Sequence, residues 1–271
     1  MKISAICTDI DGTLLDKNRQ LSERTLRAFA GLPADFPVIL ASSRMPGAMT
    51  HLLDEFERAD NPLICYNGGY VIRSPHNGAE MVDSTYINPE ICRKIMQVAK
   101  QTQAHISLYA EDNWYAPSMD KWTEKEEMVT KVKATLGNQH GIIENWERGK
   151  MGAHKVMCMG HAAEIQWLYD QLFNSHGSSI HLYRSKDTYI EIAPKAISKA
   201  SGLRRILADY NIPMEEVLAF GDNYNDIPLL DEVGYGVAVA NAREEVKAVA
   251  KEVTSSNIED GVAKIIEKLL L

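Results

Sequence analysis

Residues 1–15, MKISAICTDIDGTLL, decide how the rest of the chain is read. Ile3, Ala5, Ile6 and Cys7 form an apolar run of the kind that fills a parallel strand covered on both faces, and such strands offer their chemistry at the carboxyl end. Asp9 and Asp11 stand at that end, and residues two apart along an extended chain point the same way, so both carboxylates can face one site. Gly12 permits a turn that a side chain would obstruct. Two acids this close repel unless a cation lies between them. Magnesium suits the pair, because it takes hard oxygen ligands, usually one or two carboxylates together with water and substrate phosphate. DxDGT alone is also an Asp-Gly turn after a strand, so the remaining motifs decide.

Working outward, three more apolar runs end in polar or glycine-containing turns: 38–41 before Ser42, 63–66 before Asn67, and 217–220 before Gly221. Helical patterns lie between and after them, at 23–30 following Ser22, at 47–57, and at 198–210, where Leu203, Ile206 and Leu207 share a face. Alternating strand and helix predicts an α/β fold with a doubly wound, Rossmann-like parallel-sheet core, extended by strands at 237–239 and 252–254 and closed by a helix over 258–270. The middle differs. It has a helix opened by Asn88 and Pro89, strands at 106–109, 155–159 and 180–183, and helices at 121–136 and 162–175. An α+β domain inserted over 79–188, between core segments 1–78 and 189–271, is the organisation this predicts.

The 271 residues can bury a sizeable core, and 45% hydrophobic with 24% charged residues is an ordinary globular composition. A net charge of −8 argues against a nucleic-acid surface, while leaving room for a local basic pocket that takes an anionic metabolite. No stretch has the apolar length to cross a bilayer, and the amino terminus lacks the basic and apolar segments of a secretory signal. Cys7, Cys65, Cys92 and Cys158 are far apart without CxxC spacing, which fits reduced thiols. A cytoplasmic protein without membrane or nucleic-acid partners is the expectation, and the sequence leaves the oligomeric state open.

Ser42-Ser43-Arg44 ends the second strand, where a hydroxyl and backbone N–H groups can bind phosphate oxygens; the same residues also suit a plain serine-rich turn. Lys199, near a helix start, could bring its ammonium to a phosphate or a carboxylate, although a solvated helix lysine is the commoner arrangement. Gly221-Asp222-Asn223-Tyr224-Asn225-Asp226 is more specific. It supplies Asp222 and Asp226 across a tight turn, one able to bind a divalent ion and the other a coordinated water or Lys199, with Asn225 able to donate to phosphate. An N-cap turn is the plainer account of the same letters.

Taken in order, DxDGT, Ser42, Lys199 and GDNYND resemble the haloacid dehalogenase-like hydrolases, a superfamily dominated by phosphatases. DIDGTLL, ASSR, YNGG, EIAPKAISKASGL and GDNYND look like its Cof-type branch, in which a large α/β cap of the C2 type is inserted between the second and third motifs; the resemblance covers the chain nearly end to end. It implies that Asp9 attacks phosphorus to form an aspartyl phosphate and that Asp11 protonates the leaving oxygen and then helps activate water. It also implies Mg2+ held by Asp9, the backbone carbonyl of Asp11 and Asp222, and a phosphoryl group held by Ser42, the Ser43 N–H, Lys199 and Asn225, with Asp226 behind them. Many relatives carry Thr-Gly where this chain has Ser42-Ser43, which keeps the hydroxyl but adds a side chain at the second position. The resemblance therefore implies a magnesium-dependent phosphatase of a small phosphorylated metabolite, a sugar phosphate being favoured. A phosphotransferase or mutase using the same nucleophile is the nearest alternative, and a phosphorylation-controlled receiver module a weaker one, since the insert exceeds what such a module requires. Trp114, Lys155, Tyr183 and Arg184 are candidate substrate contacts in the insert, equally readable as packing or solvated groups.

Overall fold

In the computed structural model, which describes residues 2–271, the apolar run ahead of Asp9 becomes β1 (Ala5–Thr8), buried throughout. Ser22 then caps α1 (Glu23–Ala30) by accepting from the Thr25 N–H at 3.0 Å, which satisfies one of the donors a helix start leaves open. β2 (Val38–Ala41) follows and is again wholly buried. The helix expected over 47–57 is broken: Pro46–Ala48 form a 3-10 turn, Met49 leaves helical geometry, and α2 (Thr50–Glu55) is short. After β3 (Leu63–Cys65) the chain turns back through β4 (Tyr70–Arg73) and β5 (Glu80–Ser84).

The insert starts with α3 (Pro89–Ala99), capped by Asn88 with Pro89 in its first turn. β6 (His105–Ala110), β7 (Asn113–Ala116) and α4 (Lys121–Thr130) come next. The expected helix to residue 136 stops early, because Lys131 turns left-handed (φ 61°) and residues 135 and 136 leave as strand β8 (Thr135–Leu136), paired with β7. α5 (Gln139–Gly149), β9 (Lys155–Met159), α6 (Ala162–His176), β10 (Ile180–Lys186) and β11 (Tyr189–Pro194) complete it. The chain returns with α7 (Lys199–Tyr210), β12 (Val217–Gly221), α8 (Ile227–Glu232), β13 (Tyr235–Ala238), α9 (Glu244–Val249), β14 (Glu252–Val253) and α10 (Gly261–Leu270).

Two compact units result: residues up to Asp83 together with Ser198–Leu271, and Ser84–Ile197. These limits fall a few residues beyond 78 and 188 because β5 extends the sheet of the first unit and β11 belongs to that of the second. The first unit is built on an eight-stranded sheet in the order β14-β13-β12-β1-β2-β3-β4-β5, parallel from β14 to β3. Strand order reverses direction at β1, whose neighbours β2 and β12 are far apart in sequence, and such a switch point opens a crevice at the carboxyl edge of the sheet. Thr8 pairs with Phe220, so the residues after β1 and those after β12 emerge side by side.

The second unit carries a six-stranded sheet, β10-β11-β9-β6-β7-β8, antiparallel except for the β7–β8 pair. Its strands alternate. Ile106, Leu108, Val156, Cys158, Ile190 and Ile192 enter one core with residues of α3, α5 and α6, whereas His105, Ser107 and Tyr109 occupy the alternate positions of β6. Among the described residues, no helix is long and apolar enough to cross a membrane.

Candidate active site

Asp9 follows β1, and its backbone N–H donates to Phe220 O at 3.0 Å, which extends the strand pairing one residue past the sheet. Its side chain is nearly buried, at 5% exposure. Lys199, wholly buried at the first position of α7, donates to Asp9 Oδ1 and to Asp226 Oδ1, the latter at 2.6 Å. The lysine is placed by its surroundings. Ser198 and Ser201 cap α7 reciprocally, and the Gly68 of YNGG adopts φ +103° where a Cβ would lie 2.3 Å from Ser198 O, so only glycine lets this loop close on the helix start. Asp226 Oδ2 accepts from the N–H groups of Asp222 and Asn223 at 2.9 and 3.0 Å. One carboxylate thereby shapes the GDNYND turn and holds the lysine.

Asp222 faces Asp9 from the neighbouring strand end. Its Oδ1 accepts from Thr13 Oγ1 at 3.1 Å, and its Oδ2 lies 2.6 Å from where a Cβ on Gly12 would stand. Single oxygens of Asp9, Asp222 and Asp226 lie within 4.8 Å of one another. Burial, followed by repulsion from Asp226, pushes the Asp222 carboxyl up to about 6. Burial likewise pushes Asp9 well above the usual carboxylate range, with Asp226 and Asp222 adding to it and Lys199 opposing. Lys199 is held charged: burial works against its ammonium, but Asp226 and Asp9 outweigh that and raise it. Three acids against one ammonium leave the pocket short of positive charge.

The residues fit a divalent ion. Asp9 Oδ2 is buried and has no hydrogen-bond partner among the described residues, an uncommon condition for a carboxylate oxygen and one that a cation relieves. The available donors are hard oxygens, which suit magnesium.

The other expected residues gather at the same sheet edge. The Ser42 Oγ accepts from the Arg44 N–H at 3.2 Å, and Ser42 O accepts from Asn67 N at 2.8 Å. Asn225 Nδ2 donates to Asn67 Oδ1 at 2.9 Å, which ties the GDNYND turn to the Ser42 loop. Ser43, next in the chain after Ser42, is half-buried. Asp11 is engaged differently. Arg44 forks onto it, Nε to Oδ2 at 2.7 Å and Nη2 to Oδ1 at 2.8 Å, and Arg19 adds a third contact to Oδ1 at 2.7 Å. Burial acts to raise the Asp11 carboxyl, but these guanidinium groups hold it below the ordinary value. Asn67, Thr13, Arg19 and Asn241, whose Nδ2 donates to Gly12 O at 2.7 Å, were not singled out from the sequence. The Asn-Gly pair within YNGG is the signal the letters carry, since Asn tolerates the left-handed conformation that Asn67 adopts here (φ 58°).

Residues 6–266 match the family model of haloacid dehalogenase-like hydrolases. The chain belongs to the haloacid dehalogenase-like hydrolases. A Haemophilus influenzae protein is 30% identical to this hydrolase over 99% of its chain and 98% of the relative. The 5-amino-6-(5-phospho-D-ribitylamino)uracil phosphatase YitU of Bacillus subtilis is 27% identical, covering 97% of the hydrolase and 96% of YitU. A haloacid dehalogenase-like hydrolase from Bacteroides thetaiotaomicron superposes with a TM-score of 0.88 at 27% identity, over 99% of this chain and all of that one. Within the family this hydrolase stands among phosphatases, as a phosphoric monoester hydrolase.

In the second unit of the hydrolase the four candidate contacts separate. Trp114 is buried, donates to Ser107 Oγ at 2.9 Å and stacks on Tyr109, which makes it a packing residue. Tyr183 stacks on His181, and Arg184 donates to Gln166 and to Asp187 O. The Lys155 ammonium lies 4.5 Å from the centre of the Tyr109 ring.

Proposed function

We propose that the protein hydrolyses a small phosphorylated metabolite, a sugar phosphate or a similar polyol phosphate, through an aspartyl phosphate on Asp9, with magnesium as its metal. The observation that carries this reading is the state of Asp9: it is buried at the switch point, one oxygen is held by Lys199, and the other is without a hydrogen bond beside Asp222. Asp9, Asp222 and the backbone carbonyl of Asp11 would hold the ion. When bound, it neutralises charge that otherwise keeps an anionic ester away from an anionic nucleophile.

In the first half-reaction an Asp9 oxygen bonds to phosphorus, the bond from phosphorus to the ester oxygen breaks, and a proton on Asp11 passes to that leaving oxygen. In the second, water attacks phosphorus and gives a proton back to Asp11, the Asp9 carboxylate is released, and inorganic phosphate departs. Ser42, the Ser43 N–H, Lys199 and Asn225 hold the phosphoryl oxygens, and Asp226 keeps Lys199 and the GDNYND turn in place. Residues up to Asp83 and from Ser198 onward act as the catalytic core, and Ser84–Ile197 as the cap that selects the substrate. YitU, named for a phosphorylated ribityl compound, supports the substrate class. Among the described residues the four cysteines are buried and form no disulfide, which supports the reading of a protein that works in the cytoplasm.

The test compares wild type and Asp9→Asn on an aryl phosphate and on a panel of sugar phosphates, with magnesium and then with chelator. Phosphate release by wild type with metal alone is the expected result, and an Asp9→Asn rate within about tenfold of wild type would remove the nucleophile, since each catalytic group of this kind is worth more than about 10²-fold. Retention of the phosphoryl group in an organic product when a sugar acceptor is added would favour the transferase instead.

A further inference from the structure

Asn241 has no task in the hydrolytic scheme above. It is exposed, in the segment that leaves β13, yet its side-chain amide is held at both ends. Nδ2 donates to Gly12 O at 2.7 Å and Oδ1 accepts the Asn257 N–H at 2.9 Å, so a carbonyl on one side and a backbone donor on the other fix which way the amide faces. Asn257, in the turn after β14, repeats the arrangement: its Nδ2 donates to Leu15 O at 2.8 Å. Both carbonyls belong to the DxDGT turn and its continuation, where Ile10 O accepts the N–H groups of Leu14 and Leu15 at 3.0 and 3.1 Å. Two asparagines from a remote part of the chain therefore brace the turn that carries Asp9 and Asp11.

Segment 239–243 grips the other acidic turn as well. The Val239 N–H donates to Gly221 O at 3.3 Å and the Arg243 N–H to Asp222 O at 2.9 Å. The same five residues thus tie GDNYND through the backbone and DxDGT through the Asn241 side chain. What they tie together repels. Asp9, Asp222 and Asp226 bring oxygens within 4.8 Å of one another against a single ammonium, so without a cation the like charges push the turns apart. A neutral amide opposes that separation without adding a charge of its own. Holding Gly12 O also fixes the plane of the peptide joining Gly12 to Thr13, and Thr13 is the residue whose hydroxyl donates to Asp222 Oδ1.

We propose that Asn241, with Asn257 beside it, is a positioning residue for the divalent ion: it holds the Asp9 and Asp222 turns together ahead of metal binding. The inference rests on the phosphatase reading and adds to it residues that touch neither metal nor substrate. A site arranged beforehand has less to order when its ligand arrives, so the tie strengthens metal binding. Once the ion is in place it draws the carboxylates together itself. Loss of the tie must therefore show in how tightly magnesium is taken up, and not in the rate of the filled site.

The experiment measures magnesium binding to the resting protein by titration calorimetry without substrate, together with kcat on an aryl phosphate at saturating magnesium and urea unfolding of the metal-free protein. Wild type is compared with Asn241→Leu, which keeps the bulk and loses both hydrogen bonds, and with Asn241→Gln, Asn257→Ala and Asn61→Ala. Asn61 is the control, because its Nδ2 donates to Val38 O at 3.1 Å at the amino end of β2, away from the acidic turns. Asn241→Leu raises the magnesium dissociation constant about threefold to tenfold, the worth of a side-chain hydrogen bond, and leaves kcat at saturating metal close to wild type. Asn241→Gln, with the same amide on a longer stem, recovers part of the binding, and Asn257→Ala loses less than Asn241→Leu. Asn61→Ala lowers the urea midpoint and leaves the magnesium constant unchanged. Wild-type affinity in Asn241→Leu, a loss of kcat alone, or an equal loss of affinity in Asn61→Ala would overturn the proposal and leave the phosphatase reading intact. Wild type that binds no magnesium and releases no phosphate would overturn both, and if Asn241→Leu does not fold, Asn241→Gln and Asn257→Ala carry the same comparison.

Discussion

Both units bury ionisable side chains out of reach of water, and they treat the charge in opposite ways. At the carboxyl edge of the sheet in the first, Lys199 is wholly buried yet stays an ammonium, because Asp9 and Asp226 stand against it. In the second, His154 is equally buried and has given its charge up. Its Nδ1 accepts the N–H of Glu111 at 2.8 Å, which requires a bare nitrogen there, and its Nε2 lies 2.9 Å from Ser84 Oγ as the natural donor. Burial pushes this imidazole down to about 3. A charge survives burial only where its partners are built in, as Asp9 and Asp226 are for Lys199.

Removing Lys199 gives the largest break in this contrast. Lys199→Met leaves Asp9 and Asp226 as buried acids without a counter-charge, and breaking a buried pair from one side costs roughly 3–5 kcal/mol. Urea unfolding at neutral pH without added metal should show that loss, and turnover should vanish. Magnesium should restore part of the stability, since an ion at Asp9 Oδ2 and Asp222 supplies some of the missing positive charge. A variant that unfolds within about 1 kcal/mol of wild type would mean that the lysine is no more than a surface-like pair, and the contrast with His154 would collapse.

The second unit is tested by acid. A histidine whose folded pKa lies below its unfolded value of 6.5 takes up a proton only on unfolding, so its contribution is present above 6.5 and is lost as pH falls toward about 3. Between 6.5 and about pH 4 the linkage amounts to roughly 3 kcal/mol. His154→Gln cannot titrate, and its deficit relative to wild type at neutral pH should shrink by that amount across the window, measured by denaturant unfolding at several pH values. A constant deficit would show that His154 protonates in place.

Much of this arrangement was legible in the letters, and the part that was not shares one physical cause. β1, β2 and β12 were readable because strands buried on both faces are continuously apolar, and Asp9, Asp222 and Lys199 because they follow those strands or open a capped helix. Helix α1, with Ser22 before it and Gly31 after it, is fully local and was read to the residue. The segment 131–136 has a helix-compatible pattern but is claimed by a non-local pairing, Thr135 with Tyr115 and Leu136 with Ala116. α5 passed unread although Asn138 caps it and Ile143 and Trp146 form its buried face. In the site, the tie from Asn225 to Asn67 spans 158 residues and that from Asn241 to Gly12 spans 229. Single polar residues carry no periodicity, so only the folded chain reveals such pairs.

The smallest effect sharpens the comparison at the level of the backbone. Gly12 and Gly78 have almost the same dihedral, φ +88° and +84°, so an alanine at either meets the same left-handed penalty of roughly 1–2 kcal/mol. Their surroundings differ completely. A Cβ on Gly12 would stand 2.6 Å from Asp222 Oδ2 and 3.0 Å from its Cγ, whereas one on Gly78 meets nothing within 4 Å. Gly78→Ala should therefore cost only the dihedral term. Gly12→Ala should cost about 1 kcal/mol more in urea unfolding, because Asp222 must shift, and a shifted ligand should also weaken magnesium, read as a higher metal concentration for half-maximal phosphate release. Equal stabilities with unchanged metal dependence would mean that Asp222 moves freely, and a freely moving carboxylate could not be the preformed partner of Asp9 that the site requires.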